Sequence, residues 1–510
     1  MRARSLLRRH GWAALAFAVV APLYFAWACH DGIGFLGSDG PAYLVMARHY
    51  LGGGASGSAV ELAGTFSRFP PLYALVLAYL HAAESLVLAH AVSIALLLLG
   101  LLALYAWLVA ESGQPAAAAL LTLLYAMLPG SWLLALSLQS EFLYLPLSCA
   151  CLACLAAYRA RPRDELLYLA SLALAAAMLT RAVGLVLLLP LALGAWRAPR
   201  RTRLLCGLIA FAPYLLWYLL HRSGHDSYAG SLLGYYHGDA WAVLRQQLGA
   251  EAPALRAALE SSLTQDPAWY WLADALGLLA LAATAWRAAR RHAEAAYLLA
   301  YLGIVLLWPF DTYDAARYLW PVLGLLLAQP LLVLLQARRP AWAAALLALP
   351  LGLSLPAVAL AAQRFHDAAD SGIPGAAGIR YWYDLNAARA ALKTAGEAME
   401  TGMLRDLGQE VPPGACVIAI RPDLINYFAN RLSGLPPDDA VADADFDRRL
   451  HHLHCAYLFM TSARYTGYEQ PLHPLQKLHE KIRVVDYREL PPAAPGAARM
   501  VCILARFETP

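Results

Sequence analysis

Long apolar runs recur along this chain, and no other feature restricts its fold so sharply. They lie at 12–28, 86–110, 115–129, 141–158, 166–180, 182–197, 204–220, 268–286, 295–309, 318–336 and 341–361. Several reach, and the rest approach, the ~17–25 residues with which a helix crosses a bilayer. Inside hydrocarbon a backbone must satisfy its own hydrogen bonds, so runs of this length predict helices. Hydrophobic residues make up 60% of the chain and charged ones 15%, a balance that excludes an ordinary soluble protein. The expectation is a polytopic α-helical membrane protein with about 11 transmembrane helices. Its net charge of +4 is small, and the basic residues are nearly all arginines beside apolar runs. They report topology and imply no nucleic-acid partner.

Cytoplasmic flanks are enriched in Lys and Arg. With the N-terminus inside (Arg2, Arg4, Arg8, Arg9), every second loop should be basic. Arg159, Arg161 and Arg163 fit, as do Arg197, Arg200, Arg201 and Arg203, then Arg287, Arg290 and Arg291, then Arg338 and Arg339. The register fails if 70–85 is counted as a span, so that proline-marked segment, interrupted by His81 and Glu84, is expected to lie along the interface. Ala26-Trp27-Ala28 matches a signal-peptide cleavage pattern. A run feeding so many further spans serves equally as an uncleaved first helix, which is the expectation here.

This register places 29–85, 130–140, 221–267, 310–317 and everything after 362 outside. Two domains follow: a membrane domain over 1–362, whose first outer loop is 29–85, and an extracytoplasmic one over 363–510. All three lysines (Lys393, Lys477, Lys481) fall in the second. An amphipathic stretch at 384–407 precedes VPPGACVIAI, an apolar run after a Pro-Pro-Gly turn. HCAYLFM (454–460) and RMVCILARF (499–507) also have strand character, so a small α/β domain is expected. Cys416, Cys455 and Cys502 sit one to each predicted strand. Three cysteines outside allow one disulfide and one free thiol, or no pairing at all. His451, His452, His454 and Cys455 are ligand-rich but lack a second cluster at zinc spacing.

The chemistry-bearing residues lie in the outer loops. Asp39 precedes Gly40-Pro41, a helix start, so it is either an N-cap or a carboxylate fixed at head-group height by the helix 41–51. Tyr43, Ala47 and Tyr50 would form that helix's membrane-resting face. Glu141 opens the fourth span, where a carboxylate is costly without a partner, although a solvated acid at a helix start is the structural alternative. Arg181 and Arg317 lie at outer positions against the charge rule. Snorkelling or an ion pair explains them structurally, while a phosphate presented by the membrane explains them functionally.

Several of these residues together resemble the membrane-integral GT-C glycosyltransferases, in the bacterial branch related to protein O-mannosyltransferases and lipid A aminoarabinose transferases. The resemblance rests on D-x3-Y-x3-AR (Asp39, Tyr43, Ala47, Arg48), FPPLY (Phe69 to Tyr73) and S-E-x2-Y (Ser140, Glu141, Tyr144). It continues in LTR at 179–181, ARYLWP at 316–321 and VPPGACVIAIRPDLINYFANR near the C-terminus. Many members carry Asp-Glu in the first loop where this chain has Asp39-Gly40, so a second adjacent acid has no counterpart here.

The resemblance implies a GT-C fold in the bacterial inner membrane and an inverting glycosyltransferase. Its partners would be a polyprenyl-phosphate-linked sugar as donor, the membrane lipids, and an acceptor glycan, lipid or protein on the outer side. Asp39 and Glu141 are then the catalytic candidates, with Asp39 as the base. Arg181 and Arg317 would hold the donor phosphate, with Arg68 and Arg48 as lesser candidates. Tyr43, Pro70, Pro71 and Tyr73 would line the lipid groove. Glu141 would bind the acceptor, or a divalent metal together with Asp39, since paired oxygens suit hard cations; that metal is optional, and no other cofactor is implied. The competing class is a transporter or flippase of polyprenyl-linked glycans. Transporters tend to show internal repeats and mid-membrane ionisable residues, whereas here the acids fall in outer loops.

Overall fold

The computed structural model describes residues 2–29, 39–52, 69–221, 240–264, 266–307, 315–370, 387–435, 455–462, 482–490 and 499–508. In chain order the first helices are α1 (Arg2–Ala28), α2 (Gly40–Tyr50), α3 (Leu72–Tyr79), α4 (Leu86–Ser112), α5 (Pro115–Met127) and α6 (Pro129–Ala135). Then come α7 (Glu141–Ala160), α8 (Asp164–Thr180), α9 (Leu188–Ala195), α10 (Arg200–His221), α11 (Ala240–Leu263) and α12 (Tyr270–Ala289). After α13 (Ala293–Leu307), α14 (Ala315–Gln336), α15 (Pro340–Asp370) and α16 (Ala387–Glu410), the chain becomes mixed: β1 (Cys416–Ala419), α17 (Pro422–Ala429), β2 (Leu432–Gly434), β3 (Tyr457–Thr461), β4 (Ile482–Leu490) and β5 (Met500–Phe507). The chain forms two compact units, one of residues 1–29, 67–73 and 90–360, the other of 30–66, 74–89 and 361–510. The expected first outer loop is therefore divided, with most of it belonging to the C-terminal unit.

Among the described residues of the first unit and its α4 extension, seven helices are long and apolar enough to cross a membrane. They are the His10–Ala28 part of α1, then α4, α7, α10, α12 with its leading turn, α14, and the Pro340–Leu360 part of α15. α5 and α6 make an eighth if taken as one span bent by 60°. The bend has a local cause. Pro129 opens α6 and forces Leu128 into extended backbone, ψ 141°. Ser131 Oγ then donates to the freed Tyr125 carbonyl at 2.7 Å. Ala182–Ala195 and α13 are shorter apolar stretches, and α8 carries the apolar run 166–180. α14 has 78% of its apolar window buried, which makes it the innermost of these helices.

The interfacial expectation for 70–85 meets a helix, α3, of only eight residues. At 1.5 Å per residue it is about 12 Å long, far short of a bilayer. It ends at His81, in the left-handed region at φ 51°. Tyr79 is 86% exposed beside exposed Leu75 and Leu80, an apolar surface suited to lipid.

In the second unit a five-stranded sheet runs in the order β2-β1-β3-β5-β4. β1 pairs in parallel with β2 and β3, while β5 pairs antiparallel with β3 and β4. Ile418, Leu458 and Met460 form its core, with Ile420, Cys455 and Phe507 packed against them. The three strands expected from apolar runs are present as β1, β3 and β5. The two that escaped notice are the strands at the two opposite edges: β2 has three residues, and β4 is nearly half charged and largely exposed. The open cysteine question resolves as a Cys416–Cys455 disulfide, with Cα atoms 4.3 Å apart, and a buried free thiol at Cys502.

Candidate functional site

In the first unit, Glu141 opens α7, Arg181 follows the last residue of α8, and Arg317 lies in the first turn of α14. An acid in the first turn suits the helix dipole. Arg181 stands in extended backbone because the chain reverses there, and Gly184 lets the reversal close. A Cβ at Gly184 would meet the Ala177 backbone at 2.7 Å.

These three helix ends bring their charges together. The Glu141 side chain is fully buried, and both guanidiniums reach one of its oxygens, Oε1: Arg181 Nη1 at 2.6 Å and Arg317 Nε at 2.5 Å. Ser140 Oγ receives Arg181 Nη1 at 3.0 Å. The Tyr318 ring lies 5.3 Å from the Arg181 guanidinium carbon and 5.5 Å from that of Arg317, within cation–π range of both. Tyr301 donates to the Tyr318 carbonyl at 2.9 Å, and Trp320 Nε1 donates to Ser131 Oγ at 2.8 Å, so the start of α14 is held from two sides. Two guanidiniums thus meet at one carboxylate, which gathers strong hydrogen-bond donors at one place.

The same geometry corrects one expectation. A divalent metal on Glu141 would sit within hydrogen-bond reach of two guanidiniums, and like charges so placed repel strongly. The residues around Glu141 do not fit a metal, and its carboxylate is committed to orienting arginines. Ion pairing, the structural alternative for Arg181 and Arg317, is thus present, and it gathers them at one place.

At the other end of α7, about 27 Å away by helix rise, lies a second charged group. Arg287, its side chain fully buried, donates through Nη2 to Glu111 at 3.0 Å and to Glu294 at 2.5 Å. Arg159 also pairs with Glu111. His292 lies beside the same carboxylates at 3.6 and 3.4 Å. The ligand atoms of Glu111, His292 and Glu294 are mutually close enough for a metal, but the Arg287 guanidinium occupies their centre. This is a charge-balanced clasp joining α4, α7, α12 and α13.

A cavity of about 520 Å³ opens between α11, α12, α13 and α14, lined by Leu255, Leu259, Leu278, Leu281, Leu306 and Leu326. At its edge Arg256 forks onto Asp274 at 2.6 and 3.1 Å. Nothing in the sequence marked this cavity, because its walls come from four helices with ordinary leucine content.

In the second unit, Asp39 holds the N-cap position of α2, yet its carboxylate makes no capping bond; only its carbonyl joins the helix, accepting from Tyr43 N at 3.1 Å. The side chain is therefore not spent on capping. Tyr43 and Ala47 are buried in protein, so the expected membrane-resting face is an internal packing face. α2 packs on α17: Arg48 lies 4.1 Å above the Tyr427 ring and donates to the Tyr427 carbonyl. Arg48 is thus occupied within the protein. Of the groove candidates, Tyr73 is fully buried and shares a 2.7 Å hydrogen bond with Ser93 Oγ; Pro70 is buried and Pro71 half-buried. Arg68 and the 451–454 histidines lie outside the described residues.

The apolar helices of the first unit define a polytopic helical membrane protein, and its fold is the GT-C fold of its structural neighbours. Its likeness is to the crystal structure of ArnT from Cupriavidus metallidurans bound to undecaprenyl phosphate, with a TM-score of 0.55, 15% identity, and 97% of this chain and 98% of that chain covered. The apo form of ArnT from the same organism gives 0.51 at 14% identity, with 97% of both chains covered. No protein-family model matches the sequence. No curated protein matches it either.

Proposed function

We propose that this protein is an inverting glycosyltransferase of the bacterial inner membrane, taking a sugar from a polyprenyl-phosphate donor to an acceptor hydroxyl or amine on the outer face. The observation that carries this reading is the convergence of Arg181 and Arg317 on buried Glu141 at one end of apolar helices. The likeness to ArnT, solved with undecaprenyl phosphate, supports it, as does an apolar cavity of a size to take part of an isoprenoid chain. In this reading the eleven spans expected from the sequence, taken with the arginine register, put the C-terminal unit outside, and a disulfide there suits an oxidising compartment.

In the proposed reaction Asp39 accepts the acceptor's proton as the acceptor atom bonds to the anomeric carbon. The bond from that carbon to the phosphate oxygen breaks in the same displacement, which inverts the configuration and releases polyprenyl phosphate. That leaving group is already ionised, so it needs cations more than an acid; Arg181 and Arg317 supply them. Glu141 holds the two guanidiniums in orientation.

The test compares envelope lipids and glycans of cells with and without the gene. The purified full-length protein is then offered undecaprenyl phosphate carrying tritiated mannose, glucose or 4-amino-4-deoxyarabinose, with detergent-solubilised envelope of the deletion cells as acceptor. One glycan or lipid species should disappear on deletion, and one donor should turn over. An unchanged envelope together with no turnover would overturn the reading.

A further inference from the structure

The ARYLWP stretch that carries Arg317 also carries Trp320, about one helical turn further along α14 and 1% exposed. A buried indole needs a partner for its Nε1 hydrogen, and this one finds it on another element. Trp320 Nε1 donates to Ser131 Oγ at 2.8 Å, and Ser131 Oγ donates in turn to the Tyr125 carbonyl at 2.7 Å. The Tyr125 hydroxyl answers by donating to the Trp320 carbonyl at 2.7 Å. Three bonds thus close a ring between the start of α14 and the α5–α6 bend, and the Tyr125 and Trp320 side chains stack beside it with centroids 5.4 Å apart. Phe142, next to Glu141, meets the same indole edge-on at 5.4 Å.

The helix needs such a brace. Pro321 follows Trp320 and has no amide to donate to the carbonyl four residues back, which is that of Arg317. The helix ladder therefore lacks a bond at the residue whose guanidinium reaches Glu141. The first turn of α14 is held from outside instead. Tyr125 binds the Trp320 carbonyl, and Tyr301, on α13, binds the Tyr318 carbonyl at 2.9 Å.

We propose that Trp320 is a positioning residue that sets the Arg317 guanidinium in place through the first turn of α14. The inference rests on the reading of Arg317 as a ligand of the donor phosphate. A guanidinium takes phosphate oxygens in pairs only when its plane is correctly set, so a turn free to rock keeps the charge and loses the fork. Trp320 acts on the donor only through Arg317, and its effect falls on affinity for the phosphate head. The α5–α6 bend, otherwise a break in a span, becomes the abutment from which that arginine is aimed.

Calorimetric titration of undecaprenyl phosphate into the purified full-length protein tests this in three backgrounds: wild type, Arg317→Lys and Arg181→Lys. Trp320→Phe keeps an aromatic ring and deletes the Nε1 donor, and in the wild-type background it should raise Kd by about three- to tenfold. Tyr125→Phe removes one hydroxyl and keeps the stack; it should raise Kd by about two- to fivefold, and it carries the test if the indole change impairs folding. In Arg317→Lys the fork is already gone, so adding either change should cost less than about twofold. In Arg181→Lys, whose residue stands at the end of α8 outside the ring of bonds, the full cost should remain. A part in helix packing alone would weaken binding by the same factor in all three backgrounds, and that result overturns the inference. Wild-type affinity of both Trp320→Phe and Tyr125→Phe overturns it too, as does disappearance of their cost in both lysine backgrounds. Should Arg317→Lys by itself bind undecaprenyl phosphate as tightly as the wild type, the phosphate assignment of Arg317 fails, an outcome read without any change at Trp320 or Tyr125.

Discussion

Glu141 shows how one residue can be legible in the sequence and its role still depend on neighbours far along the chain. A carboxylate at the start of an apolar run is costly without a partner, and two arginines stood out against the positive-inside rule. That the partners are those same arginines is settled by three helix ends meeting, at separations of 40 and 176 positions, which no local pattern encodes. The arrangement makes a sharp expectation. Lys keeps the charge of Arg but not its planar fork, so Arg181→Lys and Arg317→Lys should each weaken donor binding by about tenfold or more, a loss of ~1.4 kcal/mol or above. Titrating undecaprenyl phosphate by calorimetry against the purified variants measures it, and unchanged affinity with intact stability would move the phosphate site elsewhere. Asp39 is the opposite case. Its N-cap place was evident from Gly40-Pro41, but that its side chain does not cap is a matter of rotamer and surroundings. Asp39→Asn should leave the protein inserted and folded while lowering transfer by roughly 10² to 10⁴, read with the same tritiated donor; near-wild-type transfer would return Asp39 to a structural part.

Elements show a similar division. Strands β1, β3 and β5 were evident because buried strands are continuous apolar runs, whereas β4 was hidden by its own edge position. It mixes charged residues, Arg483, Asp486, Arg488 and Glu489, with apolar ones in no strict alternation, and it takes its strand form in pairing with β5. The cysteines of this sheet make two expectations. The Cys416–Cys455 bond closes a separation of 39 residues, and on the chain-entropy account a loop of that size contributes about 4 kcal/mol. Cys416→Ala should therefore make the C-terminal unit cleave under limited proteolysis at markedly lower denaturant, and an unchanged profile would show the bond to be dispensable. Cys502 behaves differently. Burial pushes its thiol up to about 12, so almost none is thiolate near neutral pH. Iodoacetamide at pH 7.5 should leave Cys502 unmodified in the native protein and label it only after denaturation, as peptide mass mapping would record.

For the whole molecule, the apolar runs and the arginine register predict an N-terminus inside and residues after 362 outside. Reporter fusions after Arg163 and after Pro510 should therefore report opposite sides, and two cytoplasmic signals would defeat the topology and the outward site together. The sequence by itself determined that this chain enters a membrane, roughly where its helices lie, and that a small mixed domain follows them. Those properties depend on length and hydropathy summed over neighbouring residues, which a linear pattern contains. Only the tertiary structure decided that Glu141 holds Arg181 and Arg317, and that the Asp39 helix packs on α17 through Arg48 and Tyr427. Each of these is a contact between residues far apart in the chain, and such contacts are selected by packing and by the cost of leaving a buried charge alone.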